Sequence, residues 1–151
     1  SGMHPKEYIQ TPDMSFIGDF LRAGKISQVT IAPEIPGALD LIKFLVDSGV
    51  VVSLGHSDAT AAEAHAGFDA GAKTVTHLWN AMKKKSEGEP GLAQVALERE
   101  DVIIQLIIDE VHLDSQLVID SLKDCPGRFI VTNDAVSAAG LGVFIHLVKL
   151  K

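Results

Sequence analysis

Two histidines stand at the ends of apolar runs, and they are the natural starting point for any chemistry in this chain. His56 follows Val50-Val51-Val52-Ser53-Leu54-Gly55, and His77 follows Thr74-Val75-Thr76. Three more polar residues close similar runs: Glu34 after Val29-Thr30-Ile31-Ala32-Pro33, His112 shortly after Val102 to Ile108, and Asp134 after Phe129 to Asn133. Taken singly, an imidazole at a strand end is often merely polar, and a carboxylate there caps a helix or forms a turn. Five such groups at one end of a sheet are different, because packing alone gives no reason to crowd imidazoles and carboxylates together. A divalent cation does give one. Neutral imidazoles with a carboxylate are the ligand set of a catalytic zinc or iron, and a further carboxylate can move the proton of a water held there.

The elements that must position these groups alternate in type. Val50 to Leu54 is a β-branched run bounded by Gly49 and Gly55, which reads as a buried parallel strand. Ser57 to Phe68 is an alanine-rich helix opened by the capping-box pattern Thr60-Ala61-Ala62-Glu63 and ended by Gly71. Upstream, Asp13 or Ser15 caps a helix carrying Phe16, Ile17, Phe20 and Leu21 that ends at Gly24. A strand from Val29 to Glu34 follows, then a helix Ala38 to Asp47 with Ala38, Leu41, Phe44 and Leu45 inward. Downstream come a helix Leu92 to Leu97, the most apolar strand at Val102 to Ile108, a helix Ser115 to Lys123 capped by Asp114, and a strand Phe129 to Asp134. The charged, glycine-containing stretch Lys83 to Gly91 is longer than an ordinary connection and is expected to act as a lid. This β-α alternation predicts an α/β fold of the parallel (β/α) TIM-barrel type, in which strand C-terminal ends carry the site.

Composition narrows the function classes. The 151 residues are 46% hydrophobic with a formal net charge of -7, which suits one well-buried domain and disfavours nucleic acid or an anionic membrane as partner. The local run Lys83-Lys84-Lys85 reads as a solvated loop. Cys125 is the only cysteine, so no disulfide framework or cysteine-based zinc knuckle is expected, and a cytoplasmic location fits. Its neighbours Asp124 and Pro126 supply no cation, so it reads as an inert thiol. His4, His65 and His146 lie away from the strand ends and are expected to serve packing or the surface. No apolar run approaches about 18 residues, the length a spanning helix needs.

Several runs also resemble a known family. Ala32-Pro33-Glu34, Gly55-His56-Ser57-Asp58-Ala59-Thr60, Thr76-His77-Leu78-Trp79-Asn80-Ala81-Met82, Glu89-Pro90-Gly91-Leu92, Asp109-Glu110-Val111-His112-Leu113-Asp114 and Asp134-Ala135 resemble the signature runs of the N-acetylglucosamine-6-phosphate deacetylases of the amidohydrolase superfamily. The resemblance implies that Glu34, His56 and His77 bind a divalent metal, zinc or iron, that Asp134 is general base and acid, and that His112 contacts the substrate. It implies as well that Asn80, by its amide, and Ala81, by its backbone N–H, help hold the sugar phosphate. The implied reaction hydrolyses the acetamido group of N-acetylglucosamine 6-phosphate to glucosamine 6-phosphate and acetate.

The same resemblance sets further expectations. It covers about His4 to Leu141 and matches only the fourth to eighth strands of an eight-stranded barrel, so an incomplete barrel is expected. Residues 1–3 read as a tag remnant and start, and 142–151 as an atypical tail. An open sheet leaves an edge, from which a homo-oligomer is expected. Gly88 stands where the family carries a phosphate-binding arginine, and Asn133 where it carries threonine or serine. The alternative to an active deacetylase is a truncated, non-catalytic segment that retains metal binding or only self-associates.

Overall fold

The computed structural model describes residues 6–82 and 90–135. The expected lid at 83–91 falls largely outside the described residues, as do Gly88, Lys83 to Lys85, His4, His146, residues 1–3 and the tail 142–151. After a 3-10 turn at Lys6–Tyr8, the order is α1 (Met14–Ala23), β1 (Gln28–Ile31), α2 (Ala38–Asp47), β2 (Val51–Leu54), α3 (Ala61–Asp69), β3 (Thr74–Val75), α4 (Leu92–Glu98), β4 (Ile103–Ile107), α5 (Ser115–Asp124) and β5 (Phe129–Thr132). The five strands form one sheet in sequence order β1-β2-β3-β4-β5, every pair parallel. The strands lie in the order expected of consecutive barrel strands, and the sheet they form among the described residues is open.

Parallel register separates an apolar face from one that mixes polar and apolar residues. Val29, Ile31, Val52, Leu54, Val75, Ile104 and Leu106 share the helix-covered face, and most of them are fully buried in the core. The opposite face carries Gln28, Thr30, Ser53, Thr74 and Gln105, which bond to one another across the strands. Ser53 Oγ lies 2.6 Å and Thr30 Oγ1 2.9 Å from Thr76 Oγ1, while Gln105 Nε2 donates to Gln28 Oε1 and Thr74 Oγ1 at 3.2 Å. Polar groups on a partly buried face stay tolerable because they satisfy each other.

Local chemistry explains the helix starts. The Asp13 carboxylate accepts from the Ser15 and Phe16 amides, and Asp114 Oδ1 accepts from Gln116 N at 2.8 Å. Thr60 and Glu63 form the expected reciprocal capping box. Several bounds differ from expectation: α3 begins at Ala61 rather than Ser57, and β5 ends at Thr132 rather than Asp134. β1 stops at Ile31, because Pro33 has no N–H for the ladder, so Glu34 sits in the following turn rather than on the strand. On α2 the buried residue is Ile42 rather than Phe44, which is 36% exposed.

Candidate functional site

Glu34, His56 and His77 occupy the turns just past the ends of β1, β2 and β3, three adjacent strands. His56 Nε2 and His77 Nε2 lie 2.9 Å apart, with the rings edge to face at 73°. Both residues hold left-handed backbone, φ 49° and 33°. Side chains with a Cβ avoid this region, and where it recurs at facing positions it marks a constraint beyond packing. His77 is buried, and among the described residues its Nδ1 has no hydrogen-bond partner.

The Glu34 carboxylate is held at both oxygens. Ser57 Oγ donates to Oε2 at 2.7 Å, and the Asp58 amide donates to Oε1 at 2.8 Å. The next turn is tied in as well, since the Ser57 amide donates to the Ala81 carbonyl at 3.0 Å. Ala81 and Trp79 are left-handed too, and the Trp79 indole N–H donates to Ser121 Oγ at 2.8 Å, which pins the turn to α5. Asn80 N donates to the His77 carbonyl at 2.9 Å, whereas its buried side-chain Nδ2 has no partner among the described residues.

His112 and Asp134 sit at the same end of the sheet, past β4 and β5, and both are exposed. His112 Nδ1 faces Asp109 Oδ2 at 2.7 Å. The Asp109 carboxylate also accepts from the His112 and Val111 amides, and these backbone donors, then the imidazole, lower its pKa to about 2. Asp134 has φ 50°, and its amide meets Thr132 Oγ1 at 3.4 Å. An open cavity of 270 Å³ lies between these two turns, lined by Ile107, Ile108, Asp109, Val131, Thr132 and Asn133.

The donor types are those that hold a divalent ion, and the two imidazole Nε2 atoms face each other at hydrogen-bonding distance. Among the described residues, however, no three His, Cys, Asp or Glu side chains gather about one point. The structure thus brings the imidazoles together and holds Glu34 beside the residue after His56, while His112 and Asp134 remain in their own turns. Away from the site, His65 is exposed on α3, and burial raises the pKa of the Cys125 thiol, which donates to the Ser121 carbonyl. Ser57 and Asp109 were not singled out from sequence. Their roles depend on partners, and the one available signal was that each stands within a polar run beside a candidate residue.

No family model matches the chain. Curated relatives do. The N-acetylglucosamine-6-phosphate deacetylase of Lysinibacillus sphaericus is 36% identical over 145 residues, covering 93% of this chain and 37% of the relative. That of Haemophilus influenzae is 38% identical over 144 residues, 92% of this chain and 36% of the relative. An N-acetylgalactosamine-6-phosphate deacetylase from Escherichia coli O157:H7 is 33% identical over 93% of this chain and 38% of its own length. Among solved structures, the N-acetyl-D-glucosamine-6-phosphate deacetylase of Mycobacterium smegmatis superposes with a TM-score of 0.86 at 39% identity, over 92% of this chain and 38% of that one. A variant of the same enzyme in complex with N-acetyl-D-glucosamine-6-phosphate gives 0.86 at 38% identity, over 92% of this chain and 37% of that one. The chain therefore spans little more than a third of the length of these proteins, and across that span it is similar, in sequence and in fold, to N-acetylglucosamine-6-phosphate deacetylases.

Proposed function

We propose that this chain carries metal-binding and proton-transfer residues of a deacetylase acting on N-acetylated amino-sugar 6-phosphates, with N-acetylglucosamine 6-phosphate as the first substrate to test. The observation that carries the reading is the meeting of His56 and His77 at 2.9 Å, on left-handed backbone at the ends of adjacent parallel strands. His56, His77 and Glu34 would hold a divalent ion, zinc or iron. When bound, that ion would polarise the acetamido carbonyl and acidify a water.

The remaining steps fall to the chain's own side chains. Asp134 takes a proton from the attacking water as its oxygen bonds to the acetamido carbon, then delivers that proton to the nitrogen as the C–N bond breaks. Acetate and the amino sugar leave. Asp109, whose pKa is lowered to about 2 chiefly by the His112 and Val111 amides, faces His112 Nδ1 at 2.7 Å and orients the ring, which leaves Nε2 to face the substrate. Asn80 Nδ2, which has no partner among the described residues, offers an amide donor for a phosphate oxygen.

Relatives named for both N-acetylglucosamine and N-acetylgalactosamine 6-phosphates support the substrate class rather than one sugar epimer. Incubation of the chain with each sugar phosphate and zinc, with acetate measured enzymatically, tests the reading. Release that disappears in Asp134→Asn is the expected result for an active chain. A second reading, a segment that binds metal without turnover, draws on the exposure of Ile130 and Val131, each 54%, beside the Asp134 turn. Metal uptake without acetate release would select it.

A further inference from the structure

The turn that follows β3 holds three left-handed residues with a Cβ within five positions: His77 at φ 33°, Trp79 at 73° and Ala81 at 50°. Bulky side chains keep this conformation only where their surroundings over-determine it. Backbone bonds do part of the work, since Leu78 N donates to the Gln105 carbonyl at 2.8 Å, Asn80 N to the His77 carbonyl at 2.9 Å and Ser57 N to the Ala81 carbonyl at 3.0 Å. The Trp79 side chain adds a bond to a helix. Its indole N–H donates at 2.8 Å to the Oγ of Ser121, a residue 42 positions away on α5 and only 2% exposed. The Ser121 hydroxyl proton is already committed to the Leu117 carbonyl at 2.8 Å, so its oxygen is held as an acceptor for the indole. The indole itself packs against the hydrophobic core, which shields the bond from water. Trp79 stands two residues after His77 and next to Asn80, so a shift of its backbone moves both. Resting on the reading of His77 and Asn80 as site residues, and on no bound ion, we propose that Trp79 and Ser121 are positioning residues: through their hydrogen bond α5 holds the 77–82 turn in the shape that sets His77 against His56.

Trp79 is the only tryptophan, so its emission and its indole N–H resonance report this bond directly. The full 151-residue chain is compared as wild type, Ser121→Ala, which removes the acceptor, and Ser121→Thr, which keeps it. The control is Ser48→Ala, at the end of α2, where a hydroxyl likewise donates to the carbonyl four residues back, at 2.8 Å. Positioning is read at about pH 8, where imidazoles are ordinarily neutral, from nuclear Overhauser contacts between the His56 and His77 rings, whose centroids lie 4.6 Å apart. Folding is read by melting. Ser121→Ala is expected to shift the indole N–H resonance and the emission, and to lose the ring contact while still folded, whereas Ser121→Thr keeps all three. Ser48→Ala is expected to keep them even where it melts lower. Should Ser121→Ala not fold, Ser121→Cys, whose thiol is a weaker acceptor, is expected to show a shifted resonance and a weakened ring contact. A folded Ser121→Ala, or in its place Ser121→Cys, with the wild-type ring contact overturns the positioning role and leaves the reading of His77 and Asn80 standing. Loss of the contact in Ser48→Ala as well would trace it to general loosening and overturn the role too. A wild-type chain without the ring contact removes the observation behind the functional reading, and this role with it.

Discussion

A residue's type is visible in sequence, whereas its backbone conformation and partner are not. His56 and His77 could be singled out because each ends an apolar run, yet nothing in the residue order indicates that both turn left-handed or that their Nε2 atoms meet. Replacing either with alanine is expected to abolish stoichiometric zinc uptake, measured by elemental analysis after reconstitution; unchanged uptake in both would remove them as ligands. Ser57 and Asp109 escaped notice for a related reason. Ser57 bonds to a carboxylate 23 residues away, a separation no local pattern encodes. Asp109 carries a pH prediction. Its folded pKa, about 2, lies below the ordinary value of about 3.9, so its contribution to the order of the 109–112 turn is complete above that value. That contribution is lost as pH falls towards about 2. Amide resonances of Val111 and His112 are expected to shift between about pH 4 and 2 in wild type and not in Asp109→Asn. Identical titration in both would show that other groups hold the turn.

At the scale of elements, periodicity and caps carried the reading well. The span of α2, the capping box of α3 and the Asp114 cap of α5 all follow from local chemistry that the residue order contains. Strand ends were less legible, since Pro33 stops β1 before Glu34 and turns a presumed strand residue into a turn residue held by β2's loop. Close approaches were not legible either. A Cβ at Gly55 would lie 2.9 Å from Thr76 Cβ and 3.0 Å from Thr30 Cγ2, and the obstruction falls on the residue before His56. Gly67 is similarly closed, by Pro33 Cβ at 2.8 Å and Leu54 Cδ1 at 2.9 Å. Overpacking of this kind costs about 1–3 kcal/mol. Gly55→Ala is therefore expected to lower the melting temperature by about 2–4 °C per kcal/mol lost and to weaken metal binding, as β1 and β3 are pushed apart. Gly67→Ala, on the helix side, should lower the melting temperature by a similar amount while metal affinity changes less. The reverse order of effects, read by calorimetry and chelator competition, would show that β2's end does not set the imidazole pair.

For the whole molecule, the question is whether residues on β1 to β5 can reach one another. Strands about 4.8 Å apart would place β1 and β5 about 19 Å apart in a flat sheet, too far for Glu34 and Asp134 to serve one water. Twist and closure into a barrel shorten that distance, and the 0.86 TM-score shows that these five strands already follow the curvature of a deacetylase over 92% of the chain. Among the described residues, Phe129 and Val131, on the face shared with the core, are 41% and 54% exposed. Acetate release by the isolated chain is therefore expected to be low, because looseness of even about 1 Å at a reacting centre can cost about 10²-fold. Grafting residues 6–135 into the Mycobacterium smegmatis enzyme, in place of the matching segment, is expected to restore release. In that chimera Asp134→Asn should remove about 10²–10⁴-fold of turnover and leave zinc affinity near the parent value, as befits a proton carrier rather than a ligand. A folded, zinc-loaded chimera without turnover would show that the chain's own residues, and not that exposure, limit catalysis. Equal turnover by the isolated chain and the chimera would show that five strands suffice.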